Sequence, residues 1–269
     1  MNIDSASLVY FSPTETTKKI IAAIASGVGV KNVNYLNLTL PEVKEKPLSA
    51  LTGELAIIGM PVYAGRLPAE AVERFHGVKG NRIPAIIVVL YGNRAYEDAL
   101  IELRDVAIEA GFIPVAAGAF VGEHSFSNEN SLIAHQRPDA DDLARASEFG
   151  NAVRTRMGNM RLSGDVPPLM VPGNFPYQEY RVRKNVAPIS DAVVCTRCET
   201  CATVCPTAAI SAQDNAMVTD ASLCILCCAC VKSCTTGARE LIDERIANIR
   251  GMLTSKFSQR KEPEIFFSM

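Results

Sequence analysis

The sequence predicts an α/β fold: a doubly wound, five-stranded parallel sheet followed by a small α+β unit. Two observations carry the prediction. Through residues 1–157, short and near-continuous apolar runs alternate with helical patterns, as expected where helices cover both faces of a parallel sheet. Beyond that region, all nine cysteines of the 269-residue chain fall between positions 195 and 234. The division that follows is a first domain at 1–157, an ordered proline-bearing linker at 158–187, a cysteine-rich domain at 188–240, and a C-terminal helix and tail at 241–269.

In chain order, residues 7–11, 55–59 and 85–90 are the clearest strands, because each is apolar without alternation; 33–38 and 113–120 are weaker candidates. Helical stretches fall at 16–26, 68–76, 96–110 and 139–157, each opening at an acceptable cap or at a proline. Residues 158–190 hold Pro167, Pro168, Pro172 and Pro176 with the aromatics Phe175, Tyr177 and Tyr180. Such a segment, apolar but without periodicity, reads as a linker laid along a surface. Ile242, Ile246, Ile249 and Leu253 recur at helical spacing and predict a last helix packed on the chain's own body.

Composition excludes several classes of function. Hydrophobic residues make up 48% of the chain and the net charge is −2, which fits neither a nucleic-acid binder nor a disordered tail. The apolar runs are far shorter than the roughly 18 residues a membrane helix needs, so no membrane insertion is expected. Residues 1–4 do not read as a charged-then-apolar leader, and an odd cysteine count suits a disulfide framework poorly. The expectation is a cytoplasmic protein whose reduced thiols hold metal.

Spacing narrows the metal. Cys195, Cys198, Cys201 and Cys205-Pro206 are separated by two, two and three residues, and Cys224, Cys227, Cys230 and Cys234 repeat the interval. Zinc sites usually use two C-x2-C pairs, often with histidine. Three cysteines at intervals of three, followed by a fourth, instead resemble the bacterial ferredoxins. Three thiolates on one tight loop can cap three irons of a cubane, while the fourth iron is reached from elsewhere. The resemblance to two-cluster ferredoxins implies two 4Fe-4S clusters, one on Cys195, Cys198, Cys201 and Cys234, the other on Cys224, Cys227, Cys230 and Cys205. Cys228 stands out of phase and reads as a small buried thiol beside a cluster. Thr235 stands where a proline usually follows the last cysteine.

In a doubly wound sheet, ligands bind outside the carboxyl ends of the strands. The loop after the first strand carries Ser12, Thr14, Thr16 and Thr17. It resembles the flavodoxin phosphate loop, S/T-x-T-G-x-T, whose hydroxyls and backbone N–H groups cradle a phosphate at a helix N-terminus. Glu15 stands at the usual glycine, where a carboxylate is unfavourable to phosphate unless it points to solvent. The loop after the third strand offers Pro61, Tyr63 and Gly65, and the loop after the fourth offers Tyr91, Gly92, Asn93 and Tyr96. Aromatic faces beside glycines suit a flat ring system, so the three loops together point to FMN. His124, after the fifth strand, is a candidate proton donor at the flavin edge, whereas His76 and His135 read as surface residues.

The segments PVYAGRLP (61–68) and YGNRAYEDAL (91–100), with the double cysteine motif, resemble the flavodoxin–ferredoxin fusion family of anaerobic bacteria and archaea across both domains. The resemblance implies a flavodoxin-like domain joined to a two-cluster bacterial ferredoxin domain, FMN plus two 4Fe-4S clusters, and a redox protein as partner; self-association is compatible with it. The leading function is then passage of low-potential electrons between the clusters and FMN. One alternative is an FMN-dependent reductase of a small substrate, although no nucleophile–base constellation and no nicotinamide fingerprint of the G-x-G-x-x-G type is present. Another is a ferredoxin docking subunit whose flavodoxin-like domain has lost its flavin, for which Glu15 is the argument. No catalytic residue is assigned.

Overall fold

The apolar runs become strands, and their order decides where a ligand can sit. The computed structural model describes residues 3–45, 51, 53–158, 167–180, 185–214 and 216–268. Its main sheet is built from β1 (Ser5–Tyr10), β2 (Asn32–Asn37), β3 (Leu55–Pro61), β4 (Pro84–Tyr91) and β5 (Ile113–Val121). These pair in parallel in the order 2-1-3-4-5, the flavodoxin-like order. A last strand that the sequence does not announce, the tenth in chain order, is β10 (Glu264–Phe267), which pairs antiparallel with β5 and makes the sheet six-stranded and mixed.

Helices cover both faces of this sheet. On one face α1 (Thr16–Val28) and α4 (Ala140–Gly158) bury Ile20, Ile24, Phe149 and Val153 against Leu8, Ile57, Ile86 and Val88. On the other face α2 (Ala69–Phe75) and α3 (Ala99–Glu109) bury Phe75, Leu100 and Leu103 against Val9, Ile58, Met60, Ile87 and Val89. Every residue of β3 and β4 is buried, which explains why their signals were continuous rather than alternating. β2 is an edge strand, mostly exposed and rich in asparagine, so its sequence signal was weak.

α3 begins at Ala99 rather than at 96, with Asp98 as its N-cap residue, and the Asp98 side chain serves the linker rather than the helix. The Asp98 carboxylate accepts hydrogen bonds from Asn174 N, Asn174 Nδ2 and Gln178 N. Tyr177 donates from its hydroxyl to Asp105 at 2.7 Å, and Leu169 is buried in the α3-side core. Residues 167–180 therefore lie along the sheet domain; 159–166 and 181–184 of the linker are outside the described residues.

The cysteine-rich unit is small. It has two antiparallel pairs, β6 (Ile189–Ser190) with β9 (Arg239–Glu240) and β7 (Ile210–Gln213) with β8 (Ala216–Thr219), and two single-turn helices, α5 (Thr200–Thr203) and α6 (Ala229–Lys232). Its internal repeat extends to the backbone: Arg197 and Glu199 are left-handed in the first motif, and Leu226 and Cys228 are left-handed at the matching places in the second. The final helix, α7 (Glu244–Lys256), opens on Asp243, whose side chain accepts from Arg245 N. It buries Ile246 and Leu253, whereas Ile242, ahead of the cap, is 65% exposed.

The segment from α7 to β10 is fastened to the sheet domain by Asn93. This buried amide donates to the Phe257 and Gln259 carbonyls at 2.7 and 2.8 Å and accepts from Lys261 N at 3.3 Å. Replacing Asn93 by alanine removes three partly buried hydrogen bonds at once, so stability in urea unfolding should fall by about 1–3 kcal/mol. Limited proteolysis should then release the tail faster than in the wild type.

Candidate cofactor cleft and cysteine cage

A cleft of about 840 Å³ opens at the carboxyl ends of β1, β3, β4 and β5 and is roofed by the cysteine-rich unit and α7. Thr14 and Thr16 line it, their hydroxyls 3.2 Å apart, together with Pro61, Tyr63, Gly65, Tyr91 and Gly92. The two glycines leave room for crowded neighbours. A Cβ on Gly92 would meet the His124 ring at 2.3 Å, and one on Gly65, at φ +80°, would meet Glu97 and Gln178.

The other loop residues have different surroundings. Ser12 is buried and holds the turn: its N–H donates to Thr39 Oγ1, and its Oγ accepts from Lys18 N at the start of α1. Thr17 is buried with no hydrogen-bond partner for its Oγ1, an arrangement a bound anion would satisfy. Glu15 has φ +62°, the left-handed conformation in which glycine is at no disadvantage. Its carboxylate lies 2.6 Å from Lys18 Nζ, and both side chains are well exposed. Asn93 and Tyr96 are spent on the tail, the latter donating to Glu264 Oε2 at 2.9 Å. Burial pushes the Tyr91 phenol up to about 12, with the Glu264 carboxylate adding to the shift.

Several lining residues carry no local motif. Gln178 and Tyr180 come from the linker, Ile249, Met252 and Leu253 from α7, and Cys224, Ile225 and Leu226 from the second cysteine motif. Tyr63 links the two regions. Its phenol is pushed well above the ordinary value, first by burial and then by the nearby Cys227 and Cys228 thiols, while a hydrogen bond with Ser125 opposes the shift. His124 also lines the cleft and stacks edge-on to Phe126. Its Nδ1 accepts from Phe126 N at 3.0 Å, which leaves the proton of the neutral ring on Nε2.

All nine cysteines are free thiols. Cys205, Cys224, Cys227 and Cys230, drawn from both motifs, line one small cavity together with Cys228. Cys201 and Cys230 share an apolar cluster with Ile210 and Met217, against which Cys195 and Cys205 pack. Cys198 is exposed, with Sγ 3.3 Å from Thr200 Oγ1, a hydrogen bond that lowers its pKa. Burial acts the other way on the inner thiols, pushing Cys224 up to about 11 and Cys228 up to about 12. Such thiols ionise when a metal displaces their protons. Among the described residues no three His, Cys, Asp or Glu converge tightly enough to hold a single metal ion. The donors are instead four thiols around a cavity, and a cubane, whose four irons each take one thiolate, is a group such a set can hold. Cys228 Sγ lies 3.7 Å from the Leu226 carbonyl, in an apolar cluster with Phe126, Val186, Leu241 and Ile246.

Comparison with known proteins finds a family described as 4Fe-4S binding domain matching residues 188–211. Among solved structures, the chain is similar to a flavodoxin from the domain Archaea, at 17% identity and TM-score 0.36, over 57% of this chain and 99% of that one. It is similar to oxidised flavodoxin 2 from Bacillus cereus at 14% identity and TM-score 0.41, over 56% and 99%. It is also similar to rubredoxin oxygen:oxidoreductase from the anaerobe Desulfovibrio gigas, at 13% identity and TM-score 0.40, over 58% of this chain but only 36% of that longer one. No curated protein matches the sequence.

The loop geometry gives two expected outcomes. If this loop holds the phosphate of FMN, replacing Thr17 by valine, which keeps its shape, should weaken FMN at least tenfold, about 1.4 kcal/mol, and leave riboflavin, which has no phosphate, nearly unchanged in a fluorescence titration. Replacing Glu15 by glycine should change FMN affinity little, since the carboxylate is already turned to Lys18 and water.

Proposed function

We propose that the chain is an electron-transfer protein that holds FMN in the cleft and two 4Fe-4S clusters in the cysteine cage. The observation that carries this reading is that Cys224, Ile225 and Leu226, inside the second cysteine motif, line the same cleft as Thr14, Tyr63 and Tyr91. When bound, these cofactors supply the electron-carrying chemistry, and the protein contributes binding, distance and environment.

In this reading Thr14, Thr16, Thr17 and the N-terminus of α1 hold the phosphate, with Ser12 shaping the loop. Tyr63 and Tyr91 offer aromatic faces to the ring, and Gly65 and Gly92 let the backbone approach it. Cys195, Cys198, Cys201 and Cys234 hold the first cluster, and Cys224, Cys227, Cys230 and Cys205 hold the second, beside the cleft. The α7 side chains and Tyr180 wall the cleft against water. The exposed Cys198 marks the first cluster as the one that exchanges electrons with a separate redox protein. His124, which lines the cleft, favours a second reading, in which the flavin reduces a small substrate and His124 supplies a proton.

Protein purified without oxygen should carry FMN and about eight irons, the content of two cubanes. Changing Cys228 to serine should preserve that count. Changing Cys224 to serine should remove about half of the iron, leave FMN bound and slow reduction of the flavin by an external low-potential donor. Recovery of zinc, absence of flavin, or unchanged flavin reduction in the Cys224 variant contradicts the assignment. Turnover of a small acceptor that collapses in His124→Gln would favour the reductase reading.

A further inference from the structure

Arg239, in β9, is 2% exposed and lies in the middle of the cysteine-rich unit. Its Nη1 donates to Ser190 Oγ at 2.9 Å and to the Met217 carbonyl at 3.1 Å. Its Nη2 donates to the Pro188 carbonyl at 3.1 Å, to Thr219 Oγ1, and to Cys230 Sγ at 3.7 Å. Each of these partners is neutral in the thiol form of the protein. Among the described residues no carboxylate pairs with this guanidinium, and its Nε, buried, has no hydrogen-bond partner. A buried cation left this way is strongly unfavourable unless negative charge lies close by. Here the nearest source of such charge is the cysteine cage. Cys230 is hydrogen-bonded to the guanidinium and shares one apolar cluster with Cys201 of the first motif, so thiols of both motifs lie beside one arginine.

We propose that Arg239 is the internal counter-cation of both cysteine sets and raises the potential at which the groups they hold accept an electron. The inference rests on the reading that the cysteines carry iron–sulfur clusters. Four thiolates around each cubane give each site net negative charge. One electron arriving from an external reductant adds one more, with no bond made or broken. A fixed positive charge in a dry interior stabilises that added charge, and being buried it is little screened by salt. Arg239 acts through the cluster environment, as a positioning and tuning residue. The same logic makes the metal-free chain the less stable form, since it keeps the cation and lacks the anions.

The test compares the full-length wild type with Arg239→Lys and Arg239→Met, all loaded anaerobically. The readouts are iron content and a dithionite titration at controlled potential followed by electron paramagnetic resonance. Arg239→Met should retain iron but reduce at lower potential, at least about tenfold less reduced at the wild-type midpoint, or ~59 mV for a one-electron couple. Arg239→Lys, which keeps the charge and loses the forked hydrogen bonds, should stay closer to the wild type. If the methionine variant fails to take up iron, the lysine variant should still load and titrate near the wild-type potential. Iron-loaded Arg239→Met with unmoved potentials, or a lysine variant that shifts or fails as fully as the methionine one, overturns the role of Arg239. Wild-type protein that takes up no iron would contradict the cluster reading itself.

Discussion

The pairing of β10 with β5 is the constraint on which the rest of the arrangement depends. Ile265 lies opposite Gly118 and Phe266 opposite Ala117. The chain leaves the sheet at the end of β5 and returns to the same strand about 140 residues later, counted from Val121 to Glu264. After α4 has packed back on the sheet face, the linker and the whole cysteine-rich unit form a loop closed at one sheet edge. The unit is therefore attached at both ends rather than tethered at one, which raises the effective concentration of one site at the other well beyond that of a flexible linker.

Polar contacts fix where the closed loop rests. Arg74, buried in α2, donates to the Leu38 and Thr39 carbonyls of its own domain and across the boundary to the Pro206 carbonyl, next to Cys205. Lys232 pairs with Glu123 at 2.7 Å, and Arg250 Nε donates to the Phe126 carbonyl at 2.8 Å. Arg260 reaches Asp139 and Asp142 at the start of α4. With the end of the first motif gripped by Arg74 and the second held through Lys232, Cys224, Ile225 and Leu226 come to line the cleft at the carboxyl ends of the strands. Cys198 is left exposed while Cys224 lines the cleft, an asymmetry that follows from that placement.

What could be read from the sequence had a local signature. β3 and β4 were visible because they are buried on both faces, and the cysteine repeat because its spacing is strict. Thr14, Tyr63 and Tyr91 were visible because they fall at or just past strand ends, where such sheets bind ligands. β10 was not, since four residues ending an exposed tail carry no periodicity. Asn93 and Tyr96 sit in the expected loop, yet their partners lie more than 160 residues away. Gln178, Tyr180 and Met252 reach the cleft only through the path of the folded chain, and Arg239 stands out only once its partners among the described residues are seen to include no carboxylate. No helix among the described residues is long and apolar enough to cross a membrane.

The central claim, that electrons pass between cluster and flavin sites within one chain, is tested most directly by stopped-flow absorbance at several protein concentrations. The clusters are reduced by a low-potential donor, and cluster bleaching and flavin reduction are followed separately. The account predicts that flavin reduction trails cluster reduction in a first-order step with the same rate constant at every concentration. A rate that rises in proportion to protein concentration would contradict it, because electrons would then be crossing between molecules.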